Sequence, residues 1–325
     1  MLSQRVALVA SVIVGLLNRS PATHPGRISC ESVDSTMLAT ASALEAARPA
    51  LDRGWPGFGS TLAFGLVRPD TVAIVVSTFA PDGFRPLTCD AVPRTLHGRI
   101  FVRSGSWPGH GKAIQPVLDE NRRIAGVSVG LLASPAATAD LVAHEAFHLA
   151  YQFAHFQGAA RSMERELPAS VPIDSALTSS VAFELDGLAR VLSHDDAASR
   201  KAGAATFLRL RNLRFQRMGA AAADAERQME YMEGTAECVG LTAALAAGPK
   251  ADANNLSAQL RDTLVALLHA TARDVREHGA TRELRPRSYY TGAALVTLLE
   301  DGEPSWRSDV EKGAFLDVIL ASRTQ

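Results

Sequence analysis

Cysteine is scarce in this chain, with three in 325 residues: Cys30, Cys89 and Cys238. Their spacing forms neither a dense disulfide framework nor a CxxC metal site, so a packed core must hold the fold together. Cys30 and Cys89 could pair in an oxidising compartment, which would leave Cys238 free. Long runs of one charge are also missing. The 33 basic residues nearly cancel the 34 acidic ones to a formal net charge of −1, so nothing steers the chain toward nucleic acid or an anionic membrane. Nor is there an apolar run of the roughly 20 residues a membrane span needs, so no stable insertion of the mature chain is expected. Familiar phosphate and nucleophile motifs are absent too. WPGFG at Trp55 and WPGHG at Trp107 lack the lysine-serine of a P-loop, no G-x-S-x-G elbow occurs, and no cysteine has a recognisable histidine context.

What is present suits an ordinary globular protein: 47% hydrophobic and 21% charged residues, enough to bury a large core in one or two domains. The N-terminus has Arg5, an apolar run from Val6 to Leu17 and small residues at Ser20 and Ala22. This pattern resembles a signal peptide spanning residues 1–22 and predicts export to the periplasm or secretion; the alternative is a first helix of a cytoplasmic protein.

A helix is expected from Ile28 to Ala46, ended by a loop rich in proline and glycine from Pro49 to Gly59. Strand-like runs follow: TLAFGLV from Thr61, TVAIVVSTF from Thr71, GRIFVRS from Gly98 and IAGVSVGLL from Ile124. Beyond Ser134 helical windows dominate, at Thr138–Phe156, Val171–His194, Asp195–Met218, Ala220–Ala246, Asn255–His278, Tyr289–Glu300 and Trp306–Ser322. Strands followed by helices predict an α+β fold. Residues 23–133 should carry a small antiparallel or mixed sheet, and 134–325 a mostly helical, metallopeptidase-like portion.

The chemistry lies in VAHEAFHLA. On a helix, residues four apart share a face one turn apart, so His144 and His148 can aim both imidazoles at one ion. Glu145 sits one step round, placed to take a proton from a metal-bound water and later deliver it to a leaving amine. Phe147, Leu149 and Phe153 are read as packing residues. His155 lies about 10 Å further along the helix, too far for the same ion. Two imidazoles need a further ligand, and ERQMEYMEGTAEC offers Glu233 as that ligand and Glu237 as a group that orients a bound imidazole. Gly234 costs up to about 1 kcal/mol inside a helix, which a close approach to a neighbouring helix would explain. The competing reading of this stretch is a solvated acidic face, since Glu226 and Glu230 share the helix.

HEAFH followed by Glu233-Gly234-x-Ala236 resembles the gluzincin class of zinc metallopeptidases, over Gly130 to Gln152 and Glu226 to Gly240. The resemblance implies one Zn²⁺ per chain on His144, His148 and Glu233, Glu145 as general base, and peptide or protein substrates. It also implies that the strand before the HExxH helix lines the substrate cleft. One departure is plain. Glu233 follows His148 by 85 positions (233 minus 148), where gluzincins typically use a few tens at most, so a helical hairpin, Val171 to Met218, must be inserted. For stabilising the oxyanion the preferred residue is Tyr290, then Tyr289, with His269 and His278 as alternatives; Arg285 or Arg287 could hold a substrate carboxylate. The rival from another class is a non-catalytic scaffold whose zinc site serves folding, closed by a fourth protein ligand.

Overall fold

The computed structural model describes residues 33, 35–68, 71–105, 114–118, 123–129, 134–161, 164–248 and 252–324. Residues 1–22, read from the sequence as a signal peptide, and Cys30 lie outside them. The fold is α+β. Two compact units are distinguished: one takes the described residues up to Tyr151 together with 242–248, the other Gln152–Leu241 and the described residues from Asp252.

The first unit opens with α1, Ser35–Gly54, whose buried face includes Met37, Leu38, Ala41, Leu44, Ala47 and Leu51. The sequence reading ended this helix at Ala46, yet it runs through Pro49. Proline removes one backbone hydrogen bond. Here that loss is met by burial of Ala50 and Leu51 and by Arg48, which reaches forward to the Gly59 carbonyl at 2.6 Å. A one-turn helix, α2 at Phe58–Thr61, follows, and Gly59 is required there, because a Cβ would lie 2.2 Å from the Arg48 carbonyl oxygen.

The sheet has six strands, β1 Phe64–Arg68, β2 Val72–Val76, β3 Arg85–Pro86, β4 Ile100–Ser104, β5 Ile114–Leu118 and β6 Arg123–Ser128, in the order β3-β4-β2-β1-β6-β5. Only β1 and β6 run parallel; the other neighbours are antiparallel, so the sheet is mixed. β1 and β2 are buried almost throughout, which accounts for their continuous rather than alternating apolar pattern. Val67, Ala73, Val75, Phe84, Phe101 and Ile124 form one core cluster. The sequence reading had no strand at β3 or β5. Pro116 hides β5, and its position there is the one proline tolerates, on an edge strand. β5 takes the edge beyond β6, so the strand before the HExxH helix is internal.

Helix α3, Pro135–Phe147, starts on Ser134, whose hydroxyl accepts from the Ala137 amide at 3.2 Å, with proline in the first turn. It packs on β1, β6 and α1 and belongs to the unit of the sheet, whereas the composition shift at Ser134 placed it with the helices. Phe147 is the anchor: fully buried, its ring stands 5.1 Å from both Trp55 and Phe58 and stacks on Tyr151 at 5.2 Å. Phe153, expected to pack, is 62% exposed.

The second unit is helical. α5 (Ser175–Leu192) and α6 (Ala197–Met218) form a helical hairpin, each capped by an aspartate, Asp174 and Asp196, that accepts from an amide three residues on. They follow α4, the short Phe153–His155. Next come α7 Ala220–Met229, α8 Thr235–Ala246, α9 Leu256–His278 and α10 Arg285–Leu299. The last expected helix is two, α11 Trp306–Glu311 and α12 Leu316–Thr324, because Gly313 turns the chain at φ +92°. Among the described residues no helix is long and apolar enough to cross a membrane.

Candidate metal centre

Both motif-bearing helices change register at the expected ligands. After α3 the chain makes a π-helical turn at His148–Gln152, and α7 is joined to α8 by another at Glu230–Gly234. Such turns leave main-chain carbonyls short of partners and are frequent at functional sites. At the second turn side chains supply the missing donors. Gln152, fully buried, donates to the Met232 carbonyl at 2.7 Å and to the Thr235 hydroxyl at 2.6 Å, and Thr235 donates to the Tyr231 carbonyl at 2.8 Å. The carbonyl just before Glu233 is thereby tied down.

His144 is 4% exposed and His148 half-buried, and their Nε2 atoms lie 3.1 Å apart. Two imidazoles on one tetrahedral zinc, at about 2.0–2.1 Å each, put their nitrogens roughly 3.3 Å apart. A single N–H···N hydrogen bond fits the same spacing, so the carboxylate decides. Glu233 is 3% exposed, and one ligand atom from each of His144, His148 and Glu233 falls within 4.8 Å of the others. Two nitrogens and a carboxylate oxygen are the donors zinc takes in open sites, so the residues fit the ion. Glu145 is half-buried, one position round the helix from His144.

Glu233 has a second neighbour. The guanidinium of Arg285, at the start of α10, lies 3.8 Å from Glu233 Oε1. α10 packs against the Glu230–Gly234 turn, and the approach is as close as glycine permits. A Cβ on Gly234 would lie 2.4 Å from Gly292 Cα, and one on Gly292 would lie 2.6 Å from Gly234 Cα. This is the close approach that Gly234 led us to expect. Gly234→Ala should therefore destabilise the protein by about 1–3 kcal/mol, because overpacking against backbone outweighs the gain of about 1 kcal/mol in helix propensity. Denaturant unfolding reads this directly; a neutral or stabilising result would contradict the contact.

The remaining candidates separate. Tyr290 is buried on α10, Tyr289 half-buried beside it, and Glu237 is 7% exposed on α8, outside the three-residue group. His155 is exposed and outside the group as well. His269 is half exposed and pairs with Asp186 at 2.8 Å, while His278 pairs with Asp274 at an exposed helix end, so both histidine alternatives for the oxyanion are engaged at the surface. Arg287 is bound to Glu226 at 3.0 Å.

Glu226 and Glu230 overturn the reading of a solvated acidic face, since each is 1% exposed. With Glu184 they face Arg211, Arg214 and Arg287 in a buried network of three carboxylates and three guanidinia. Arg211 holds Glu230 through two hydrogen bonds of 2.8 and 2.5 Å and Glu184 at 2.7 Å. Arg214 holds Glu184 at 2.6 Å and Glu226 at 2.9 Å, and the Thr291 hydroxyl donates to Glu230 at 2.6 Å. Burial raises the Glu226 carboxyl, but the Arg214 and Arg287 charges outweigh it and hold the group well below the usual carboxylate range. Burial likewise raises Glu184, and Arg214 and Arg211 bring it below its ordinary value. At Glu230 burial prevails over Arg211 and the group is shifted up. The hydropathy pattern hides this network, because charge at helical spacing reads as surface. Comparison with protein-family models, curated proteins and solved structures gives no match.

Proposed function

We propose that the chain is a zinc-dependent peptidase of gluzincin-like chemistry, hydrolysing peptide bonds in peptide or protein substrates. The observation that carries the reading is the convergence of His144 and His148, four residues apart, with Glu233, 85 positions further on (233 minus 148). Three protein ligands suit a catalytic site, which keeps a coordination position for water or substrate, better than a structural one closed by four. When bound, zinc polarises the substrate carbonyl and acidifies water.

This chain's own residues do the rest. Glu145, next to a ligand on the same helix, takes the proton of the attacking water and returns it to the leaving amine. Tyr290 is the preferred donor to the oxyanion and Glu237 the preferred support for a ligand imidazole; both are buried on elements flanking the Glu230–Gly234 turn. Export is the companion proposal and rests on the signal-like pattern of residues 1–22.

The test is metal content with hydrolysis. The purified chain should carry about one equivalent of zinc, and Glu233→Ala should weaken zinc binding more than about 100-fold, beyond what loss of a supporting contact costs. Chelation should lower stability by about 4 kcal/mol relative to zinc supplied at 1,000-fold over Kd. A chain that binds no zinc, or binds it unchanged without Glu233, would refute the assignment.

A further inference from the structure

Arg285 is 7% exposed, yet its Nε finds no hydrogen-bond partner, and its one ionic neighbour among the described residues is Glu233, at 3.8 Å and so beyond hydrogen-bond reach. The other buried arginines are engaged: Arg211 and Arg214 in the network, Arg200 in a fork on Asp301, Arg48 on the Gly59 carbonyl, Arg287 on Glu226. A guanidinium carries five N–H donors, and burying it without hydrogen bonds is costly unless something meets them. Glu233 balances its charge only while that carboxylate is not shared. Once Glu233 serves a divalent cation, the cation and Arg285 together leave an excess of positive charge that calls for an anion.

We propose that Arg285 is the receptor for the free C-terminal carboxylate of a peptide, so that the site cleaves at the C-terminal ends of its substrates. This rests on the metallopeptidase reading above. The planar fork of arginine matches a carboxylate with two parallel hydrogen bonds. Reach sets the length: one extended residue spans about 3.3–3.6 Å, and the guanidinium stands 3.8 Å from a ligand oxygen. A carboxylate held on Arg285 therefore belongs to a chain end within one or two residues of the atoms at the metal.

The experiment uses zinc-loaded Glu145→Gln protein, so that binding is read without turnover, and compares a tripeptide with its C-terminal amide by calorimetry. The free acid should bind at least about tenfold tighter. Arg285→Gln should abolish that preference while leaving zinc affinity unchanged or tighter, because a positive charge beside the ligand set has been removed; a merely structural arginine would weaken zinc instead. Arg285→Lys, which keeps the charge and loses the fork, should retain part of the preference and serves if the glutamine variant does not fold. Equal binding of acid and amide overturns the proposal, as does an acid preference that survives in Arg285→Gln. Zinc content and cleavage of any peptide by the wild type are read separately. Zinc-dependent cleavage of internal bonds with no acid preference overturns the role of Arg285 alone; absence of zinc overturns both claims.

Discussion

Glu145→Gln is expected to keep its zinc and lose hydrolysis by about 10²–10⁴-fold, the contribution of a well-placed general acid–base. The substitution is isosteric and alters neither His144 nor His148, so the three-residue ligand group is preserved. What it removes is the group that accepts a proton. The loss should fall on kcat and kcat/KM alike, with substrate binding retained, because the interaction is made in the transition state. Position supports this role: Glu145 neighbours a ligand on a helix anchored by Phe147 against Trp55 and Phe58, and a general base must be held within hydrogen-bond reach of its proton. Full activity in this variant would remove Glu145 from the mechanism.

Some of this was readable from residue spacing. His144 and His148 had to share a helix face, and Gly234 inside a helix had to mean a close neighbour, which proved to be Gly292. Glu233 could be nominated because a half-complete ligand set asks for a carboxylate. The π turns could not be read, since one extra residue per turn leaves helical composition unchanged; their cause is tertiary, in donors such as Gln152, 80 residues from the carbonyl it meets. Pro49 and Pro116 misled for the same reason: packing at Leu51 outweighs a broken hydrogen bond, and an edge strand is paired on one side only. The burial of Arg211 and Arg214 could not be read, because charge alone does not reveal a balancing charge 12 to 30 residues away.

That balance makes Arg211→Met the most destabilising substitution we expect. The side chain is fully buried, stands over the rings of Phe207 and Phe215 at 5.0 and 5.4 Å, and is hydrogen-bonded to Glu184 and Glu230. Its removal leaves three buried carboxylates facing two guanidinia, and breaking such a network from one side costs about 3–5 kcal/mol. Arg211→Lys should recover only part, because an ammonium cannot hold Glu230 through a fork. The pH dependence has a definite sign. Glu184 and Glu226 are held below their ordinary values, so their contribution is present above the unfolded carboxylate pKa, about 4.3, and is lost as pH falls through the folded values. Glu230, shifted up, contributes in the opposite sense, favouring the fold below that pKa and losing its contribution as pH rises. From pH 7 down to about 4.3 protonation of Glu230 should hold or slightly raise stability, and below about 4.3 stability should fall as Glu184 and Glu226 are protonated; denaturant midpoints at about pH 7, 4.5 and 2.5 measure both limbs. The consequence extends to the site, because Glu230 opens the turn that carries Glu233, and Thr291 binds Glu230 from the helix that carries Arg285. Arg211→Met should therefore weaken zinc binding as well as stability. A cavity in the sheet, such as Val75→Ala, should destabilise the protein yet leave zinc affinity largely unchanged in the folded fraction; equal effects on zinc from both variants would mean that the network supports the fold and not the position of Glu233.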